Sequence, residues 1–317
     1  MLIYILFILG FIFLIKGADL LVEGSSSLAK RLGISDIVIG LTIVSLGTSA
    51  PELLVNIVAS LKGNADIGIG NILGSNISNI FLILGISALI YPLKIKHNTT
   101  WKEIPLNMIA VIVLFLLVND IWIDKAANSI LSRSDGIILM IFFIIFMYYT
   151  FGLAKAHKEK HDGRHKHPPL KAIGMTLLGI VGLAYGGQWV VDGAITVAKQ
   201  FGLSEALIGL TIVAVGTSLP ELATSATAAY KHKTDIAIGN VVGSNLFNIF
   251  WVLGLSAVIK PMPFNPMINT DILVCLIATI MLFAFCFTKS RYQIDRAEGG
   301  ILVMMYAGYI VFLIMRG

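Results

Sequence analysis

Charge is what this chain has least of. Asp, Glu, Lys and Arg make up 13% of its 317 residues, against roughly 25% in ordinary soluble domains. That scarcity excludes a solvated globular fold and, despite a net charge of +5, gives no basic patch for a nucleic-acid partner. Cysteine is nearly absent too. Cys275 and Cys286 are the only two, and eleven residues of helix separate them too far to pair, so they read as apolar packing. Long polar segments are missing, apart from KAHKEKHDGRHKHPPLK at Lys155–Lys171. The first seventeen residues, MLIYILFILGFIFLIKG, have no basic leader ahead of the apolar run and no small-residue cleavage site. They read as a first membrane span rather than a signal peptide. Among the apolar stretches there is no paired His–Cys, His–Ser or zinc-ligand pattern, so the chain is not read as an enzyme.

What fills the space instead is apolar sequence, 57% of residues with a mean hydropathy of +0.88. Runs of about 20 apolar residues recur along the whole length. They predict spans near residues 2–29, 36–61, 67–91, 104–120, 134–154, 171–198, 205–230, 236–259, 268–288 and 297–315. With ten spans, sixteen Lys and Arg fall on one side and six on the other, with Lys16 inside the first span. The richer side is cytoplasmic by the positive-inside rule, which places both termini outside and the 155–170 loop within a cell. That loop holds His157, His161, His165 and His167. Imidazoles suit zinc or nickel, but a solvated basic loop that fixes orientation is the simpler reading.

The chain also repeats itself. GTSAPEL at Gly47–Leu53 returns as GTSLPEL at Gly216–Leu222, and GNILGSNISNIF at Gly70–Phe81 returns as GNVVGSNLFNIF at Gly239–Phe250. Gly33–Ile90 lies over Gly202–Ile259 without a gap, with more than half the positions identical. Each copy contains five spans, an odd number, so the second enters the membrane from the opposite side. The expected fold is an all-α integral membrane protein of ten transmembrane helices in two inverted five-helix repeats. Its parts are residues 1–154 (repeated core 40–85), a His- and Lys-rich linker at 155–170, and residues 171–317 (repeated core 209–254).

Each repeat puts a glutamate, Glu52 or Glu221, where a carboxylate is costly. Thr48 shares a helix face with Glu52, and Ser49 lies beside them. Pro51 removes a donor to the Gly47 carbonyl and predicts a break that frees main-chain oxygens. Thr217, Ser218, Pro220 and Glu221 repeat the arrangement. In the following span Ser75 and Asn79 share a face, as do Ser244 and Asn248. The pairs Gly70/Gly74 and Gly239/Gly243 predict close approach to a neighbouring helix. This inventory is all oxygen, the ligand set of hard cations such as calcium and sodium. Lys16, Asp19 and Glu23 in the first span and Asp192 in the sixth are read as structural or gating charges, with Lys16 and Asp19 placed to pair.

The repeated G-T-S-x-P-E-L and G-N-x-x-G-S-N phrases resemble the two alpha-repeats of the cation/calcium exchanger superfamily, closest to prokaryotic sodium/calcium exchangers. The resemblance covers essentially the whole chain. It implies an antiporter that exchanges Na+ for Ca2+ by alternating access, with both ions as cargo and no cofactor. It implies that Glu52 and Glu221 bridge the sites and that Thr48 and Thr217 help hold calcium. Ser49, Ser75, Ser218 and Ser244 would serve sodium, with the carbonyls of Ser45 and Ala214 as further ligands and Asn79 and Asn248 closing the middle. Many relatives carry aspartate at one or both of the last two positions. Their neutrality here argues against potassium dependence. A proton-coupled or other-cation antiporter at the same site is the alternative, and a channel is the rival outside exchange. A monomer in the plasma membrane is the expected working unit. An empty carboxylate pair is unfavourable at that depth, so protons are expected to compete with cations and transport to fall at acidic pH.

Overall fold

The computed structural model describes residues 2–156, 167–201, 214–288 and 291–316. The linker histidines at 157, 161 and 165 and the start of the repeat's second copy lie outside them. Among the described residues, eight helices are long and apolar enough to cross a membrane. They are α1 (Leu2–Leu32), α4 (Ala65–Ile90), α5 (Thr99–Val118), α6 (Arg133–Ala156), α7 (Pro169–Gln200), α9 (Thr234–Ile259), α10 (Pro266–Phe285) and α11 (Arg296–Arg316). A ninth candidate is a bent pair, α2 (Asp36–Thr48) and α3 (Ala50–Lys62), meeting at 47°. Beyond residues 202–213 the chain makes a turn at Ala214–Gly216 and then α8 (Leu219–Tyr230).

The all-helical expectation holds for every described span. The only strands among the described residues are four of two residues each: β1 (Leu93–Lys94), β2 (Ile130–Leu131), β3 (Met262–Pro263) and β4 (Gln293–Ile294). They pair antiparallel as β1 with β4 and β2 with β3, so each pair ties the first half of the chain to the second.

Burial follows the lack of charge. Helices α4 and α9 form the centre, each 78% buried over its most apolar stretch, whereas α6 is 17% buried and turns Ile, Phe and Tyr outward. Exposed Trp101 and Trp122 mark the two ends of α5, where indole rings sit at a membrane surface. The centre is polar as well as apolar. Asn76, Asn79, Ser75, Asn240, Asn245, Asn248 and Ser244 are all buried.

Glycine sets the closest helix contacts. Along α1, Gly10, Gly17 and Gly24 recur every seven residues, and Gly179, Gly186 and Gly193 do the same along α7. The two stripes face each other with the helices antiparallel. A Cβ on Gly17 would lie 2.9 Å from the Leu183 nitrogen, and one on Gly179 would lie 2.6 Å from the Leu21 nitrogen. Only a hydrogen side chain allows backbones this near. Gly40 of α2 meets Gly239 of α9 in the same way, each Cβ position 3.0 Å from the other's Cα. The predicted close approach of Gly239 and Gly243 is therefore observed. A Cβ on Gly70 or Gly74 would meet no described atom of a neighbouring helix within 4 Å.

Candidate cation site

The local chemistry of the repeated phrase produces a break in each half. Ser49 (φ −84°, ψ 5°) and Ser218 (φ −88°, ψ 6°) leave the helical region, and Pro51 and Pro220 then open α3 and α8. Proline suits a helix's first turn because its missing N–H would have no partner there. The bend falls at Ser49, just ahead of the proline that causes it. One residue after each proline comes the glutamate. Glu52 and Glu221 thus occupy the first turns of two half-helices, where the backbone dipole favours negative charge. Both side chains are completely buried, and their charges act on each other.

Two hydrogen-bond webs surround them. Around Glu52, Ser75 donates to Oε1 at 3.3 Å, while Ser218 and Asn248 each donate to the Ser75 hydroxyl at 3.2 Å. Around Glu221, Ser49 donates to Oε1 at 3.0 Å. Thr48 donates to Asn240 Oδ1 at 3.0 Å, and the Thr48 and Ser244 hydroxyls lie 3.5 Å apart. Asn240 in turn donates to Ser225 at 2.9 Å and to the Glu221 carbonyl at 3.4 Å. Residues of both halves serve each glutamate.

Four asparagines join the halves at the centre. Asn76 donates to the Asn245 carbonyl at 3.2 Å, and Asn245 donates to the Asn76 carbonyl at 3.4 Å. Asn79 donates to Asn245 Oδ1 at 2.9 Å, and Asn248 donates to Asn76 Oδ1 at 3.0 Å. The same exchange is made twice with the halves swapped. Asn79 opens a π-helical stretch (Asn79–Leu84), and Asn248 lies at the start of its counterpart (Phe247–Leu253). Such wide turns re-aim side chains and concentrate at functional sites.

The webs leave several acceptors open. Among the described residues, Glu52 Oε2, Glu221 Oε2, Asn79 Oδ1 and Asn248 Oδ1 are buried and accept no hydrogen bond. No described lysine or arginine forms an ion pair with either glutamate. Two carboxylate oxygens and two amide oxygens, related in pairs by the repeat, therefore have their lone pairs available. A buried acceptor left this way is costly unless something positive meets it. Hard cations are bound by oxygen donor sets of this type.

Of the residues singled out from sequence, Glu52, Glu221, Thr48, Ser49, Ser75, Ser218, Ser244, Asn79 and Asn248 meet in these webs. Ser45 is buried, but its carbonyl already accepts from the Ser49 nitrogen at 2.9 Å and the Thr48 hydroxyl at 3.3 Å. Thr217 is half-buried and donates to Asn71 Oδ1 at 3.3 Å. Ala214 begins the turn before it. Sequence reasoning missed Asn71, Asn76, Asn240 and Asn245. All four stand inside the repeated G-N-x-x-G-S-N phrase, which was the signal for them. The expected Lys16–Asp19 pair does not form. Asp19 pairs with Lys231, which the end of α8 brings across to α1, while Lys16 is exposed one turn away.

Comparison with known proteins finds a family model that matches most of the chain. The family model described as sodium/calcium exchanger protein matches residues 2–152 and 171–315. The chain belongs to the sodium/calcium exchanger family. It is thus a multi-pass membrane protein of a family of cation antiporters. Among relatives of this exchanger, the putative antiporter CaxA of Alkalimonas amylolytica is 38% identical, covering 98% of each chain. The sodium/calcium exchanger MaX1 of Methanosarcina acetivorans is 31% identical, again over 98% of each. The solved structure of the sodium-calcium exchanger NCX_Mj soaked with Na+ and Sr2+ superimposes with a TM-score of 0.84 at 32% identity, covering 98% of both chains.

Proposed function

We propose that this exchanger carries Na+ and Ca2+ in opposite directions through one central site shared by Glu52 and Glu221, without covalent chemistry. The observation that carries the reading is the set of four buried, unpartnered oxygens on Glu52, Glu221, Asn79 and Asn248. One Ca2+ neutralises both carboxylates, and Na+ ions on the same oxygens do so too, but the two cannot be held together. Movement of the empty, doubly charged site through the membrane is unfavourable. Loading with one cargo or the other is then the condition for crossing, and the two fluxes are coupled.

The architecture we propose for this is ten spans in two inverted five-helix repeats, with α8 belonging to the seventh, the span expected near residues 205–230. Three features support it: the antiparallel packing of the equivalent helices α1 and α7, the reciprocal Asn76–Asn245 bonds, and the two strand pairs that each join the halves. The lysine-rich side is cytoplasmic, both termini face outward, and a single chain in the plasma membrane suffices for the cycle.

Proton coupling is the second reading, favoured by one observation: the Ca(2+)/H(+) antiporter ChaA of Bacillus subtilis is 27% identical over 62% of the chain. Radioactive calcium uptake into proteoliposomes separates the two. Uptake into sodium-loaded vesicles, absent with choline or potassium inside and lost in Glu52→Gln, is the expected result. Equal uptake under a pH gradient without sodium would transfer the coupling to protons. Absence of calcium flux under both gradients would refute calcium as cargo.

A further inference from the structure

The offset that carries Glu52 onto Glu221 also carries α1 onto α7. GADLLVEG at 17–24 lies over GGQWVVDG at 186–193, so Glu23 corresponds to Asp192 and Asp19 to Gln188. Lys62, the last residue of α3, corresponds to Lys231, which caps α8. Each lysine follows its site glutamate by ten residues, about 15 Å along a helix. The chain therefore contains the same arrangement twice, a lysine at the end of a glutamate-bearing half-helix and acids on a facing long helix.

The structure treats the two copies differently. On the lysine-rich side, Lys231 forms an ion pair with Asp19, and its Nζ lies 3.6 Å from Glu23 Oε2. Glu23 Oε1 is 2.9 Å from His167 Nε2 at the entry to α7, and Arg31 donates to the His167 carbonyl at 2.9 and 3.1 Å. Helix α1 packs along α8 here. On the opposite side α7 makes no comparable packing with α3. Asp192 is exposed and takes a bond from Gln188, one turn away on its own helix, at 2.9 Å. Among the described residues Lys62, also exposed, forms no ion pair.

We propose that Lys231 and Lys62 are the two positions of one alternating latch. In the present conformation Lys231 holds α1 against the Glu221 half-helix and closes that side. In the opposite conformation Lys62 engages Asp192, α7 packs along α3, and the Lys231 contact opens. This rests on the alternating-access reading above. The latch is also unequal: Lys231 faces two carboxylates, whereas Lys62 faces one, because Gln188 stands where Asp19 would repeat. The inequality biases the resting transporter toward the state in which Lys231 is engaged. Lys231 and Lys62 act as positioning residues, far from the ions, through the helices that carry the glutamates.

Cross-linking in proteoliposomes tests this. In the full chain with Cys275→Ala and Cys286→Ala and a protease site in the 157–166 linker, two cysteine pairs are made: Asp19→Cys with Lys231→Cys, and Lys62→Cys with Asp192→Cys. A bifunctional thiol reagent about as long as a lysine side chain is added, the linker is cut, and halves that stay joined are counted on a non-reducing gel. The first pair is expected to join without any ion gradient. The second is expected to join only while exchange runs, and to stop exchange as it does. Adding Lys231→Met should speed joining of the second pair about two- to fivefold, the scale of a part-exposed ion pair, and Lys231→Arg should not. A second pair that never joins, in vesicles where the uncross-linked protein exchanges ions, overturns the latch and leaves the exchange reading standing. An unchanged joining rate in Lys231→Met overturns the bias. Wild-type vesicles with no exchange at all would instead overturn the reading on which the latch rests.

Discussion

Replacing Glu52 or Glu221 by glutamine should weaken calcium more than sodium, and the difference in size can be worked out. Glutamine keeps the shape and one oxygen ligand but removes one unit of charge from a fully buried position. With a ligand distance of about 2.4 Å and an effective dielectric of about 20, a divalent ion loses about 14 kcal/mol of Coulomb attraction and a monovalent ion about 7 kcal/mol. Most of this is returned, because the neutral side chain has a smaller desolvation cost when the site is empty. If nine-tenths is returned, about 1.4 kcal/mol remains for calcium and about 0.7 kcal/mol for sodium, or about tenfold against about threefold in affinity. The charge count adds to this: calcium with one carboxylate leaves a net positive charge buried beside asparagines that have no anion to offer. Calcium and sodium titrations of the purified wild type and both variants, read by isothermal calorimetry, would measure both ratios. Calcium affinity that holds while sodium affinity falls would refute the shared carboxylate site.

Exchange should decline steadily as pH falls through the carboxylate range, since a proton on Glu52 or Glu221 removes the charge that a cation needs; initial calcium uptake against pH at fixed sodium would check the sign, and a rise toward acid would contradict it. Ser75→Ala should cut ion affinity by roughly tenfold while leaving the fold intact, because it strips one donor from Glu52 and the acceptor used by Ser218 and Asn248; calcium titration beside a thermal melt in detergent separates the two effects. Gly179→Val should abolish exchange, since even the Cβ would lie 2.6 Å from the Leu21 backbone nitrogen; transport at the wild-type rate would show that the α1–α7 contact is dispensable. Arg316→Ala should lower the melting temperature without altering ion affinity, because the guanidinium makes two bonds to buried Asp271, at 3.2 and 3.0 Å, far from the glutamates. An unchanged melt would show that the pair adds nothing.

Spans and site residues differed in how openly the sequence declared them. The spans were legible because apolar runs of membrane length need no partner to be recognised, and the observed ends of α6 and α7 lie within a few residues of those expected. Glu52 and Glu221 were legible because a carboxylate in such a run has few bland explanations. The asparagines were harder. Asn76 and Asn245 matter through each other's main chain, across a separation of 169 residues, and periodicity along one helix says nothing about a bond to another. The π-helical turns at Asn79 and Asn248 were also invisible, since a widened turn is set by what packs against it. The partner of Asp19 was misjudged for a related reason. Spacing along α1 offered Lys16 to Asp19, but a helix end from the other half arrived nearer, and tertiary approach overrode the local pairing.

The glycine stripes have a consequence for how a leak is avoided. Because α1 and α7 meet backbone to backbone at three levels, they are mechanically a single bar with one end serving each side of the membrane. Any displacement that preserves their contact and carries α1 away from α8 carries α7 by the same amount in the same direction. Two doors hung on one bar have no position in which both stand ajar. Exclusivity of access is then a matter of rigid geometry, independent of which ion is aboard, and the ions decide only when the bar is allowed to move.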